Sequence, residues 1–343
     1  MPFADPHQST SDPLAPRGVT VDCPAKINLH LRVGPARADG FHPLLTWMVT
    51  VGLADRLTVR VVAAADAPPV ALACDDPALP ADERNLVFRV LAAWGERARA
   101  AGGSFPAVAA TLAKNTPAGA GLGGGSSDAA AALLAAVRLT PSVRTAGAGG
   151  GPAANWADWS AFLARFGSDI PFFLAAPSAA CTGRGEVVVP TPPPAVARRG
   201  VLVLPSIHMP TPAVYKGFDS MGLGRSGDLS DEPDWAAWAR LPAVELLPRL
   251  VNDLEPAAFA IRPDLDALRR AAEEAAGRPV RMSGSGSSLF TLFDTPAESS
   301  AGADAVRRHL APLGVPPAGV RDVAVGVPVE VRDVQSEGPE RSR

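Results

Sequence analysis

Pro117-Ala-Gly-Ala-Gly-Leu-Gly-Gly-Gly-Ser-Ser-Asp128 runs directly into the apolar stretch from Ala129 to Leu139. Without a Cβ, its glycines leave backbone N–H groups free to converge on an anion, and a following helix adds the partial positive charge of its N-terminus. The run therefore reads as a cradle for the phosphates of a nucleotide. Val108 to Leu112, just before it, reads as a strand. Ser126 to Leu139 reads as an alanine and leucine helix that Ser126 or Ser127 would cap. The local order is strand, glycine loop, helix.

Better-known glycine loops fit less well. Walker A needs a Gly-Lys-Ser/Thr ending that this run lacks. Gly119, Gly121 and Gly124 satisfy G-x-G-x-x-G, but no acidic residue lies between Asp128 and Asp158 to hold a ribose. Neither an H-R-D-like loop nor a D-F-G follows, which removes the protein-kinase pattern. A flexible linker would not interleave Leu122 and lead into a capped apolar helix.

The whole chain, 343 residues with 47% hydrophobic and 20% charged residues, reads as globular and large enough for two domains. Its formal net charge of −3 offers no basic footprint, so no nucleic-acid partner is expected. Cys23, Cys74 and Cys181 are far apart and odd in number, which suggests reduced structural thiols rather than disulfides or a zinc site. Residues 1–17 show no secretory pattern and no run is long enough to span a membrane, so a cytoplasmic location is expected. Lysine occurs at only three positions, Lys26, Lys114 and Lys216, in an arginine-rich chain, a mild hint of chemistry specific to an ammonium.

Residues 1–17 read as a disordered extension and 334–343 as a flexible tail. Between them, 18–198 is expected to form an N-terminal domain binding nucleotide and substrate, and 199–333 a C-terminal domain. Val19 to Val33 and Leu44 to Val62 read as strands. Apolar residues at Leu86, Val87, Val90, Leu91 and Trp94 mark a helix over Asn85 to Ala101. Thr140 to Ala154 lacks periodicity and reads as a flexible surface insert. Asn155 would then cap a helix with Trp159, Phe162, Leu163 and Phe166 on one side, ending at Gly167 in a C′ position. Further on, Val201 to Leu204, Val280 to Met282, Ser288 to Phe293 and Val323 to Val327 read as strands, and Glu232 to Arg240 and Leu265 to Ala276 as helices. Ser283-Gly-Ser-Gly-Ser-Ser288 reads either as a hairpin turn or as a second glycine-rich wall facing the first.

Period-two alternation in Pro24-Ala-Lys-Ile-Asn-Leu-His-Leu31 places Lys26, Asn28 and His30 on one face of a strand, with Ile27, Leu29 and Leu31 on the other. An ammonium beside an amide suits phosphate and hydroxyl groups. Asp169, followed by Ile-Pro-Phe-Phe, is an acid in apolar company that needs a partner, either Lys26 in a catalytic pair or an ordinary capping contact. Phe41-His42 reads either as a loop with one buried ring or as a stacking face beside a hydrogen-bonding imidazole.

The sequence resembles the GHMP small-molecule kinases across most of its length. The resemblance rests on Pro24-Ala-Lys-Ile-Asn-Leu29, Asp39-Gly-Phe-His42, Pro117 to Ala130, Phe166-Gly-Ser-Asp-Ile-Pro171 and Gly183-Arg-Gly-Glu186. It extends to Pro210-Thr-Pro-Ala-Val-Tyr215, Asn252-Asp-Leu-Glu255 and Met282 to Ser288, all in the expected order. The doubled glycine before Ser126-Ser127 and the Gly-Phe-His element resemble the branch that phosphorylates the 2-hydroxyl of a cytidine-diphosphate-linked methylerythritol in the non-mevalonate isoprenoid pathway. It implies an α+β fold with a ribosomal-protein-S5-domain-2-like N-terminal domain and a ferredoxin-like C-terminal domain, the site lying in the cleft between them. It implies Lys26 and Asp169 as the catalytic pair, with Asp169 accepting the hydroxyl proton, and ATP phosphates on Pro117, Ala118, Gly119, Ala120, Gly121, Leu122, Gly123, Gly124, Gly125, Ser126 and Ser127. Asn28 would lie near the reacting groups, Phe41 and Tyr215 would sandwich cytosine, and His42 would bond its edge. Magnesium is expected with the triphosphate, without assigned protein ligands. Phe41 stands where the family often has Tyr, and the insert at 140–154 is long for the family.

Overall fold

The computed structural model describes residues 17–64, 66–140, 156–224 and 229–334. β1 (Gly18–Val33) and β2 (Leu44–Val61) pair antiparallel along most of their length. β3 (Val70–Cys74), α1 (Leu86–Ala100) and β4 (Val108–Ala113) form a unit in which β3 pairs parallel to β4 and the helix makes the crossover. Asn85 caps α1 by accepting from Val87 N at 2.9 Å. After the glycine loop come α2 (Gly124–Leu139), α3 (Trp156–Ala164), the short α4 (Phe172–Ala175) and the hairpin β5 (Ser178–Gly183) and β6 (Val187–Pro190).

β2 is 18 residues long and reaches two partners besides β1, β5 along its first half and β4 along its second. Its length therefore organises a seven-stranded sheet, β11-β1-β2-β4-β3 with β5 attached to β2 and β6 to β5. α2 packs on this sheet with Ala129, Ala130, Ala131 and Ala132 buried. Small side chains let its axis come close to β1 and so bring the loop at its N-terminus against the strand.

The rest of the chain contributes β7 (Arg199–Val203), α5 (Thr211–Ser220), α6 (Trp235–Trp238), α7 (Ala243–Leu246), α8 (Glu255–Ile261) and α9 (Pro263–Ala276). β8 (Arg281–Met282), β9 (Leu289–Phe293), α10 (Pro296–Leu310) and β10 (Val320–Ala324) follow. The second sheet has the order β10-β7-β9-β8 with all pairs antiparallel, the strand order of the ferredoxin-like arrangement expected for this half. β11 (Glu330–Asp333) then returns to pair with β1. The fold is α+β.

Several local expectations change. α2 starts at Gly124, behind Gly123 at φ 68°, with no side-chain cap, so Ser126 and Ser127 lie inside the first turn instead of capping it. α3 ends at Ala164, and Gly167 is not left-handed. Phe166 N and Ile170 N instead bond back three residues, to Leu163 O and Gly167 O. α6 covers only four of the residues expected from 232 to 240, because Pro233 disfavours helical backbone at Glu232 and Asp234 caps the turn from Ala237 N. The strand expected at 323–327 lies earlier, at Val320–Ala324, since Gly326 turns the chain at φ 75°. Thr140 is a buried residue, its hydroxyl donating to Ala136 O and accepting from Trp94 Nε1, and not part of a surface insert. The remainder of that insert, Asn155, and all but the inner ends of the two terminal segments lie outside the described residues. No two of the three cysteines are joined.

Candidate active site

The glycine loop is held down by backbone bonds to elements distant in sequence. Lys26 N donates to Leu122 O at 2.8 Å, and Ser288 N donates to Ala120 O at 3.2 Å. Ser283 joins three segments: its hydroxyl accepts from Asn28 N at 3.2 Å and donates to Gly121 O at 3.1 Å. The Ser283–Ser288 segment is thus both the β8–β9 hairpin turn and a wall against the first loop. Gly121 and Gly123 are required here. Both have positive φ, and a Cβ would lie 2.6 Å from Ser283 O at the first and 2.9 Å from Lys26 Cγ at the second.

Two cavities meet at this loop. One, of about 380 Å³, is lined by Pro117 through Ser126 together with Asn85 and Lys114. The other, of about 1000 Å³, is lined by Lys26, Asn28, Phe41, His42, Asp169 and Tyr215 among others. Gly121, Gly123 and Ser126 belong to both. A triphosphate seated in the smaller cavity would therefore point its end into the larger one. Ser127 lies apart from both linings: it is buried in the first turn of α2.

At the junction, Lys26 Nζ is buried 3.4 Å from Asp169 Oδ2 and donates to Asn28 Oδ1 at 2.6 Å. Asn28 Nδ2 donates to Thr46 Oγ1 at 2.9 Å, and that hydroxyl donates to His30 O at 2.7 Å, which fixes which way the amide faces. Asp169 differs from its expectation. Its side chain is 38% exposed and opens on the larger cavity, because Ile170 and Phe172 turn into the core beside it while the carboxylate turns out. An acid so placed can reach a solute hydroxyl.

His30 departs from the face of Lys26 and Asn28. The β1–β2 register shifts between Asn28 and His30, a bulge that places His30 opposite Trp47, where its ring packs edge-on against Trp235 and Trp238. Leu31 swings the other way and lines the larger cavity. Burial, with Arg32 adding to it, lowers the His30 pKa to about 4, so the ring is neutral near pH 7.

His42 is buried, with Nδ1 2.9 Å from Gly34 O and Nε2 3.3 Å from Asp219 Oδ1. A base edge would compete with that carboxylate for Nε2. Tyr215 lies 5.0 Å from the His42 ring, and burial, together with the charge of Asp169, pushes its phenol up to about 12. Phe41 is half exposed at the cavity mouth.

Sequence reasoning missed a second cationic centre. Lys114 Nζ donates to Asp128 Oδ2 at 2.7 Å and to Asp55, whose Oδ1 accepts from Asn115 N and Thr116 N at 2.6 and 2.7 Å. The three side chains are almost wholly buried and tie β2, the end of β4 and the first turn of α2 together behind the glycine loop. The rarity of lysine was the available signal.

Residues 85–151 match the family model described as GHMP kinases N terminal domain, and residues 233–312 match that described as GHMP kinases C terminal. A protein from Synechococcus sp. (strain CC9605) named 4-diphosphocytidyl-2-C-methyl-D-erythritol kinase is 35% identical over 311 residues, which cover 87% of this chain and 94% of the relative. One of the same name from Nocardioides sp. is 40% identical over 285 residues, covering 78% and 86%. A crystal structure of 4-(cytidine 5'-diphospho)-2C-methyl-D-erythritol kinase superposes with a TM-score of 0.65 at 32% identity, over 90% of this chain and 99% of that one.

Proposed function

The chain belongs to the GHMP kinases, and from that premise we propose that it transfers the γ-phosphoryl group of ATP to the 2-hydroxyl of 4-diphosphocytidyl-2-C-methyl-D-erythritol. It is a small-molecule kinase with ATP as co-substrate. One observation carries the assignment of roles: the Lys26–Asp169 pair lies where the phosphate-sized and the substrate-sized cavities meet. The proposed domains are 18–198 and 199–333, with this cleft between them, save that β11 at the end of the second pairs into the sheet of the first.

In this reading the loop from Pro117 to Ser126 and the first turn of α2 hold the phosphates, their free N–H groups and the helix dipole favouring the anion. Gly119 is open to solvent, with nothing within 4 Å of where a Cβ would be, so the fit leaves room for a ligand against the backbone. Ser127, buried as it is, would contribute its position in the helix but not its side chain. Magnesium, carried by the triphosphate, would neutralise charge on the phosphates.

The acceptor hydroxyl donates to Asp169, which takes its proton as the oxygen bonds to the γ-phosphorus and the bond to the ADP oxygen breaks in line. Lys26, held by Asn28, balances the charge that gathers between acceptor and phosphoryl oxygens. Phe41 and Tyr215 would flank the cytosine, with His42 at its edge once Asp219 yields. Working on a free small molecule, the enzyme would act in the cytoplasm without nucleic acid. Among the described residues no helix is long and apolar enough to cross a membrane.

An ADP-release assay with the cytidylated substrate, mevalonate and homoserine tests the reading, and turnover is expected with the first alone. Asp169→Asn should lower kcat by about 10²- to 10⁴-fold while ATP still binds. Normal turnover in that variant, or preference for mevalonate, would overturn the assignment.

A further inference from the structure

Gly183-Arg-Gly-Glu186 is the turn between β5 and β6, and neither the phosphate loop nor the catalytic pair accounts for it. Its geometry is tightly specified. Gly183 and Gly185 have φ of 73° and 115°, Gly185 N bonds Thr182 O at 3.0 Å, and the Glu186 carboxylate accepts from Arg184 N at 2.6 Å. A Cβ on Gly185 would lie 3.0 Å from Asp169 Oδ1, so the backbone of the turn runs against the carboxylate of the catalytic pair.

The turn places Arg184 in the lining of the larger cavity. Its guanidinium lies 4.7 Å from the centroid of the Phe41 ring, within cation–π range, and its side chain lines the cavity. Its ion-pair contact with Glu186 is long, at 4.0 Å. The flat fork, rich in N–H donors, is held by a ring face and stays available to a ligand.

We propose that Arg184 is the residue that recognises the diphosphate of the acceptor substrate. The inference rests on the proposed function. A substrate with its base against Phe41 and its reacting hydroxyl at Asp169 must pass its diphosphate between them; Arg184 touches the first landmark and its neighbour Gly185 runs against the second. Phe41 then does two jobs, one ring supporting the base and the guanidinium. The Phe41 loop and the Arg184 turn close on each other through this contact, so recognition of the base and of the diphosphate are linked.

The experiment compares Arg184→Met, which keeps much of the apolar stem, and Arg184→Lys, which restores a charge without the fork. Inhibition constants for CDP and for cytidine are measured alongside KM for each substrate. Arg184→Met should raise KM for the cytidylated substrate about 10- to 100-fold, the size of a lost charge-assisted contact, while KM for ATP and kcat stay within about threefold. CDP inhibition should weaken to the same degree and cytidine inhibition should not, and Arg184→Lys should recover part of the loss. Equal weakening of CDP and cytidine, an equal rise in KM for ATP, or no change would each overturn the assignment. If the wild-type enzyme neither turned over the cytidylated substrate nor bound CDP, the proposed function would fall and this inference with it. Wild-type turnover with an unaffected Arg184→Met overturns the inference alone.

Discussion

Asp128 ends the glycine run in the sequence, and in the fold it supports that run from behind. Its Oδ1 is buried without a hydrogen-bond partner, while its Oδ2 meets Lys114. Burial is the main cause that raises its pKa to about 7, with Asp55 adding to the rise and Lys114 opposing it. Because the folded value exceeds the unfolded one, the folded chain binds this proton more tightly. The stability from that proton is full below about pH 4 and lost as pH rises through about 7. Asp128→Asn removes the titration, so its urea midpoint, measured from pH 5 to 8.5, should gain on that of the wild type as pH rises. Parallel profiles for the two proteins would count against it. Both Lys26 and Lys114 had been marked by their rarity, but only folding showed that Lys26 serves the cavity and Lys114 the support.

Among the elements, the glycine loop and α2 work as one unit. The reading that a serine side chain caps the helix would have spent its free N–H groups on the protein. Gly123 in the left-handed region begins the helix instead, with no side-chain cap bond. Not all the glycines serve equally. Gly121→Ala adds a Cβ 2.6 Å from Ser283 O and 2.9 Å from Gly286 O, both backbone atoms that cannot swing away. Gly119→Ala meets nothing within 4 Å and carries only the strain of φ 69°. In urea unfolding Gly119→Ala should cost about 1–2 kcal/mol and Gly121→Ala clearly more, with a rise in KM for ATP. Equal costs would mean that the approach of the hairpin does not constrain the loop.

Across the whole molecule the two sheets share a core. Ile27, Leu29 and Trp47 of the first pack in one cluster with Leu202, Phe290 and Val323 of the second, and β11 crosses back to β1. Asn252 adds a polar tie: its Nδ2 donates to Met282 O and Gly284 O at 2.8 Å each, while Leu31 N bonds the neighbouring Val251 O. Calorimetry should therefore give one cooperative transition, and a fragment of residues 17–198 should fail to fold, its share of that cluster exposed. Two resolved transitions, or a folded fragment, would contradict a shared core.

What depends on neighbours along the chain can be read from residue order. The alternation through β1 and β2, the helical spacing in α1 and the glycine run before α2 are local patterns, and so is the placing of Lys26 beside Asn28. How that face ends is set by strand pairing, because the bulge that sends His30 to Trp47 and Leu31 into the cavity arises against β2. Tertiary packing likewise decided that Ser283 would join Asn28 to Gly121, that Asp55 would meet Lys114, and that Arg184 would lie on Phe41. Those partners are separated by tens to hundreds of residues, and sequence periodicity carries no information across such distances. The glycine loop was legible as a phosphate cradle, but what it faces is set by long-range packing.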